Sequence, residues 1–376
     1  MSRVLIIFGT RPEAIKLAPL AEALRTMPGG RTPLVCVTAQ HRGLLDQVLE
    51  IFQLKPGYDL DLMTPGQTLI QSCSRILAAL EPVLEEAKPD FVLVQGDTTT
   101  AFAGALAAFY HGIPVGHVEA GLRTGDLRQP FPEEAHRLLA SRIASLHFAA
   151  TGWAARNLLR EGADPDRVFV TGNTGIDAVL AAVARLESGE LRPQVRPVWP
   201  EGRKMALVTA HRRESFGQGF ERICGALAQL AGRGDVHLIY PVHPNPNVRR
   251  VVDRLLAGNP AVTLLDPLDY VSFVDLMRRS HFLITDSGGV QEEGPSLGKP
   301  VLVLRDKTER PEAVEAGTVR LVGTDTAKIV SESNLLLDDE EEYGRRSRVH
   351  NPYGDGQASG RIVEHIDNYF KRLASS

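Results

Sequence analysis

Asp286-Ser-Gly-Gly289 sits between a short apolar run, Phe282 to Ile284, and a helix-competent stretch that carries Glu292 and Glu293. The apolar run has the length and composition of a buried strand. With no Cβ, Gly288 and Gly289 let backbone amides come close to a ligand. A helix opening at Ser287 would aim unpaired N–H groups and the positive end of its dipole at one spot, which is how proteins hold phosphates. Arg310, after the next apolar run (Val301 to Leu304), would add the two-pronged positive charge that a diphosphate favours. Glu292 and Glu293 suit sugar hydroxyls better than phosphate. Together these residue types describe a nucleotide-sugar site, although Ser-Gly-Gly alone is more often an ordinary strand-to-helix turn.

Other chemistry-bearing residues stand in the same kind of place. Val4 to Phe8 reads as a buried strand, broken by Gly9, and Thr10 to Glu13 reads as a capped helix start with Pro12 in its tolerant first turn. Arg11 and Lys16 then lie near the positive end of a helix, where two cations repel unless an anion joins them. Pro19 removes a helix bond to Ile15, which predicts a kink beside Lys16. Asp97 follows the strand Phe91 to Val94, where a helix cap and a catalytic carboxylate are equally at home. Glu119 follows Val115 to Val118 and precedes a glycine-rich loop, a position harder to explain by capping. Glu133 and Arg137 are four apart on a helix, a spacing that also fits an exposed pair worth about 0.3–0.5 kcal/mol. His211 ends the strand Met205 to Val208 and is followed by Arg212, Arg213 and Glu214, while His243 ends Val236 to Tyr240.

These residues must be placed by strands that alternate with helices, the pattern of a parallel, doubly wound sheet. The alternation occurs twice, with a proline-bearing stretch from Glu187 to Glu201 reading as a crossing between domains. The expected class is α/β: two Rossmann-like doubly wound parallel-sheet domains, residues 1–171 and 172–356, facing across a cleft. Both halves put their polar residues at the carboxyl ends of strands, where open α/β sheets bind ligands. Gly354-Asp-Gly356-Gln-Ala-Ser-Gly360 has a superficial likeness to a dinucleotide fingerprint, but no strand precedes it. It reads as a loop capping a last helix, Ile362 to Leu373.

Composition narrows the class. At 376 residues, two domains are the prior, and 43% hydrophobic with 23% charged residues is globular. A net charge of -4, with no basic tract, gives no reason to expect nucleic acid. Cys36, Cys73 and Cys224 are scattered and unpaired in spacing, so they read as thiols of a reducing compartment rather than disulfides or a metal site. No apolar run is long enough for a membrane span, and the start lacks a small-residue cleavage site, so a cytoplasmic location is expected.

The chain resembles the non-hydrolysing UDP-N-acetylglucosamine 2-epimerases. The stretches that carry the resemblance are Gly9 to Lys16, Gln95 to Thr100, His117 to Gly125, Pro132 to Arg137, His211 to Gly217, Asp286 to Lys299, Glu309-Arg310-Pro311 and Asn351 to Gly356. The resemblance implies the GT-B architecture, with the last helix (about 357–376) packing back on the first domain. It also implies a homodimer and no metal, nicotinamide or other cofactor. The implied reaction interconverts UDP-N-acetylglucosamine and UDP-N-acetylmannosamine. Arg11, Lys16, Asp97, Glu119 and His211 would contact substrate; Ser287, Gly288, Gly289 and Arg310 would hold the diphosphate. Glu293 would take the ribose, and Phe273 would lie near the uracil. Asp97, Glu119 and Glu133, supported by Arg137 and with His211 beside the diphosphate, would carry the chemistry. Some members bind a second UDP-N-acetylglucosamine through the stretch matching Gln40, His41 and Arg42, with His243 a further candidate. Here Gly43 and Gly66 offer no side chain where some activator-regulated members carry polar ones. A hydrolysing 2-epimerase, a glycosyltransferase of the same architecture and a non-catalytic UDP-sugar sensor are the rival readings.

Overall fold

The computed structural model describes residues 2–26, 33–39, 42–64, 66–308, 310–348 and 351–375. The chain divides into two compact units, Met1–Ala178 with Tyr353–Ser376, and Val179–Pro352. Each is built on its own parallel sheet.

In the first unit the strands are β1 (Val4–Phe8), β2 (Leu34–Val37), β3 (Tyr58–Asp59), β4 (Phe91–Gln95), β5 (Val115–Val118), β6 (Leu146–Ala149) and β7 (Val168–Val170). They lie in the order β3-β2-β1-β4-β5-β6-β7, and every adjacent pair is parallel. Because helices cover both faces, β1 is apolar at every position. Val4, Ile6 and Phe8 enter one core, with Leu17, Leu20 and Ile362; Leu5 and Ile7 enter the other, with Leu80, Leu84 and Ala105. The helix Arg11–Thr26 runs unbroken through Pro19.

The last helix, Ala358–Ser375, belongs to this unit. Tyr369 and Phe370 set their rings edge-on to Phe91 at 5.8 and 6.0 Å. Its cap comes from far away in sequence rather than from the Gly354–Gly360 loop. The carboxylate of Asp177 accepts from the amides of Ala358 (3.1 Å) and Ser359 (2.7 Å). The return of the chain needs glycine at 172: its φ is 91°, and a Cβ there would stand 3.4 Å from the Cα of Gly354.

The second unit holds β8 (Lys204–Thr209), β9 (Val236–Pro241), β10 (Val262–Leu265), β11 (Phe282–Thr285), β12 (Val301–Val303) and β13 (Val319–Leu321), ordered β10-β9-β8-β11-β12-β13 and parallel throughout. Residues 187–201, read from sequence as a crossing between domains, are tied into this unit. The amide of Val195 donates to Ser272 Oγ at 3.0 Å, and the Arg279 guanidinium lies 4.6 Å above the Trp199 ring. The helix Gly288–Ser296 packs tightly on the sheet because Gly294 has no side chain. A Cβ there would come within 2.5 Å of Leu283 and 2.8 Å of Val301.

In each sheet the winding reverses once, between β1 and β4 in the first and between β8 and β11 in the second. Open α/β sheets bind ligands outside the carboxyl ends of strands at such points.

Candidate active site

At the reversal of the first sheet, a buried carboxylate ties two turns together. Glu13, 1% exposed, accepts through Oε2 from the amide of Thr10 (2.8 Å), its hydroxyl (2.7 Å) and the amide of Gly9 (3.1 Å). Through Oε1 it accepts from the hydroxyl of Thr98 at 2.7 Å, so the turns after β1 and β4 are fixed to each other. Burial pushes the Glu13 carboxyl up, and the bonds from Thr98, Thr10 and Gly9 pull it part of the way back. Gly9 is required by the same packing: a Cβ there would lie 2.2 Å from Thr38 Oγ1 and 2.5 Å from Thr100 Oγ1.

Glu119 stands on this scaffold. Its Oε2 receives Lys16 Nζ, from one turn into the helix after β1, and Gln95 Nε2 at 2.8 Å, from the end of β4. Its backbone is left-handed, φ 61°, a conformation that costs a non-glycine residue on the order of 1 kcal/mol and that gathers at functional sites. The turn is held there by the Ala120 amide on Phe148 O and by Asn157 Nδ2 on Gly121 O at 3.0 Å. Gly121, φ 91°, presses against the carbonyl of Ala154, where a Cβ would come within 2.2 Å.

Asp97, at the start of the turn after β4, accepts from Arg137 Nε at 2.8 Å. Arg137 also donates to Glu134 Oε2 at 3.0 Å, and Glu134 Oε1 accepts from the amides of Thr124 and Gly125 at 2.9 and 3.0 Å. Arg137 is therefore not paired with Glu133, as the four-residue spacing suggested. Its helix partner is Glu134, three positions back and 1% exposed, and the pair fixes the glycine-rich loop as well. Glu133 is half-exposed and makes no hydrogen bond or ion pair among the described residues. His136 Nδ1 donates to the backbone oxygen of Asp97 at 2.9 Å, its ring stacked on Phe102.

At the reversal of the second sheet, Asp286 is fully buried. Its Oδ2 accepts from the amides of His211 (2.6 Å) and Arg212 (2.7 Å), joining the turns after β8 and β11. The His211 ring stacks on His243 with centroids 5.2 Å apart. Burial holds the His211 imidazole below its ordinary value against the pull of Asp286, while His243 and Arg212 push the same way as burial.

Ser287 precedes the helix Gly288–Ser296 without capping it by its side chain, so its hydroxyl does not occupy the leading amides. Arg310 donates through Nε to Glu292, both largely buried. Its guanidinium covers the helix start so closely that a Cβ on Gly288 would lie 2.8 Å from Cζ. Glu292 is thus the counter-ion that fixes Arg310, not a carboxylate turned to sugar hydroxyls. Glu293, one position on, is half-buried, and its Oε1 would stand 3.5 Å from a Cβ on Gly289. Phe273 is half-buried on the helix Tyr270–Arg279.

The first unit therefore gathers Lys16, Asp97, Glu119 and Arg137 around one sheet reversal, with Arg11 opening the helix after β1. The second gathers His211, His243, Ser287, Gly288, Gly289 and Arg310. Gln40 and His41 lie outside the described residues, as does the side chain of Arg42. Among the described residues no cluster of three or more His, Cys, Asp or Glu could hold a metal ion, and no helix is long and apolar enough to cross a membrane. Glu13, Gln95, Glu134 and Asp286 were not singled out from sequence as site groups. Each acts by receiving or giving hydrogen bonds to turns and loops outside its own element, which no local spacing reveals.

Two doubly wound parallel-sheet units with carboxylates at one reversal and a cationic helix start at the other define an α/β enzyme of the GT-B class. The sequence profile of the UDP-N-acetylglucosamine 2-epimerase family matches residues 28–367, and the chain belongs to that family. It is 57% identical over 371 residues to UDP-N-acetylglucosamine 2-epimerase of Escherichia coli K12, covering 97% of this chain and 98% of that one. To the Bacillus subtilis 168 enzyme of the same name it is 52% identical over 365 residues, covering 97% and 94%. Among solved structures, the UDP-GlcNAc 2-epimerase of Neisseria meningitidis bound to UDP-GlcNAc superimposes with a TM-score of 0.90 at 48% identity, over 97% of this chain and 100% of that one. The Methanocaldococcus jannaschii enzyme in complex with UDP-GlcNAc and UDP gives 0.79 at 34% identity, over 98% and 100%. The protein is an epimerase.

Proposed function

We propose that this protein interconverts UDP-N-acetylglucosamine and UDP-N-acetylmannosamine without hydrolysis, by eliminating UDP to 2-acetamidoglucal and adding it back. The observation that carries the reading is the Lys16–Glu119–Gln95 cluster beside Asp97–Arg137 at one sheet reversal.

The hydrogen on C2 of an N-acetylhexosamine is not next to a carbonyl, so a base alone does not remove it readily. Departure of UDP from C1 puts oxocarbenium character on the ring and acidifies C2–H. Stabilising the departing diphosphate is electrostatic work, suited to preorganised donors. Arg310, His211, the amides of Ser287, Gly288 and Gly289, and Arg11 take that role. Phe273 and Glu293 bind the uridine, at the base and the ribose. A carboxylate takes the C2 proton, and a proton then returns from the opposite face, which calls for more than one transfer group. Asp97, Glu119 and Glu133 are those groups, with Lys16 and Arg137 holding the first two in place. Glu133, half-exposed and with no ion pair among the described residues, can approach a substrate without breaking one.

The product supplies N-acetylmannosamine for cell-surface polysaccharide in the cytoplasm, and the working form is a homodimer. Exposed apolar side chains support the dimer: Ile70, Phe109, Tyr110 and Leu139 are 82, 57, 72 and 48% exposed on three successive helices that pack on one another.

The test is incubation with UDP-N-acetylglucosamine followed by separation of products. The reading expects UDP-N-acetylmannosamine as the main product; UDP plus free N-acetylmannosamine would make the protein a hydrolysing epimerase instead.

A further inference from the structure

Asp286 is more deeply buried than its hydrogen bonds require. One oxygen, Oδ2, is used by the amides of His211 and Arg212, while Oδ1 is buried without a hydrogen-bond partner among the described residues. His211 Nδ1 lies 3.4 Å from Oδ1. A buried carboxylate oxygen left unpaired is costly, and a small turn of the half-buried imidazole would satisfy it. We infer that Asp286 is a positioning residue that fixes His211 with a proton on Nδ1, so that an arriving diphosphate must draw a second proton onto Nε2. This rests on the nucleotide-sugar reading given above.

The argument is one of donors and acceptors. An ionised carboxylate only accepts, so Nδ1 facing it carries hydrogen and neutral His211 presents a bare lone pair at Nε2. A diphosphate oxygen also only accepts, and it can bond Nε2 only after that atom has gained a proton from solvent. The imidazolium so formed lies between two anions, Asp286 and the diphosphate. In the free protein burial opposes the protonated ring, as do His243 stacked on it from the end of β9 and Arg212 beside it, while Asp286 favours it. Tyr240, the remaining buried titratable group near Asp286, gives its hydroxyl proton to Ala210 O at 2.6 Å and stays neutral. His211 is thereby a cation that appears when the nucleotide does.

Asp286→Asn reverses the logic. The amide oxygen can still accept from both backbone amides, but an NH2 group would then face His211 Nδ1 and make it an acceptor. The neutral ring would carry its hydrogen on Nε2 and bond the diphosphate with no proton gained. Calorimetric titration of UDP at about pH 7.5, in buffers of different ionisation enthalpy, reads this directly. Relative to Asp286→Asn and to His211→Asn, the wild type is expected to take up about one further proton per site and to bind about tenfold more tightly. Proton uptake in Asp286→Asn equal to that of the wild type would overturn this inference alone. Absence of any UDP binding by the wild type would overturn the functional reading with it. Should Asp286→Asn fail to fold, nitrogen NMR of the wild-type ring, assigned with His211→Asn, decides the matter. Hydrogen on Nδ1 supports the inference, and hydrogen on Nε2 in the free protein overturns it.

Discussion

Lys16 Nζ meets Glu119 Oε2 across 103 positions of sequence, and Gln95 donates to the same oxygen from a third strand end. The contact puts a cation from the helix after β1 on a carboxylate whose own backbone is held left-handed. The strain and the ion pair together aim one side chain at one place.

That aim predicts how the carboxylates respond to neutralisation. Glu119→Gln and Asp97→Asn keep the shape and most hydrogen bonds but remove proton-transfer capacity. Each is expected to lower kcat by about 10²- to 10⁴-fold while UDP affinity stays within about threefold of the wild type. Steady-state kinetics beside UDP titrations checks this. Near-full activity in both variants would end the acid/base assignment.

Gly288 is predicted to be intolerant of even one methyl group. Its Cβ would meet Arg310 Cζ at 2.8 Å, and Arg310 is held by Glu292, so the guanidinium has little room to yield. Gly288→Ala is expected to weaken UDP binding by about tenfold or more, since a displaced charge-assisted donor is lost. Arg310→Met goes further: it removes the cation that pairs with the buried Glu292, at a cost of up to about 3–5 kcal/mol in stability. Thermal unfolding should then separate the two, with Arg310→Met the less stable.

Stability should fall below neutrality for a reason located in the first sheet. His117 and His147 are register partners on β5 and β6, nearly fully buried, and burial brings each imidazole down to about 4. Between that value and about 6.5, the unfolded chain binds protons that the folded chain does not. The stabilisation is complete above about 6.5 and is lost as pH falls toward 4, by roughly 3 kcal/mol per histidine as an upper bound. Denaturation midpoints of the wild type and of His147→Asn at several pH values check the sign. The variant should show the shallower decline.

Much of this was legible beforehand because parallel sheets buried on both faces write their strands as uninterrupted apolar runs. Val4–Phe8 is such a run; Val115–Val118, Leu146–Ala149 and Val262–Leu265 are short, mostly apolar stretches interrupted by His117, His147 and Thr263, and the structure has all four at those bounds. The edge strands Tyr58–Asp59 and Val319–Leu321 escaped notice because two or three residues, partly exposed, carry no pattern. The site divides in the same way. Groups at strand ends beside glycines, such as Glu119 and Ser287, stand out locally. Those that hold them do not: Glu134 looked like its neighbour Glu133, and Glu292 looked like a sugar ligand until Arg310 was found against it. Asp286 read only as part of the turn that stops a strand and opens a helix. Burial and a partner tens of residues away define such residues, and neither is written in local spacing.

The central claim is that UDP leaves and returns while the neighbouring carbon exchanges its proton. Incubation with UDP-N-acetylglucosamine in heavy water, followed by NMR of the recovered sugars, tests this most directly. The account predicts UDP-N-acetylmannosamine that remains nucleotide-linked and carries deuterium at C2. Nucleotide-linked product that keeps the original C2 hydrogen, or free sugar as the main product, would contradict it.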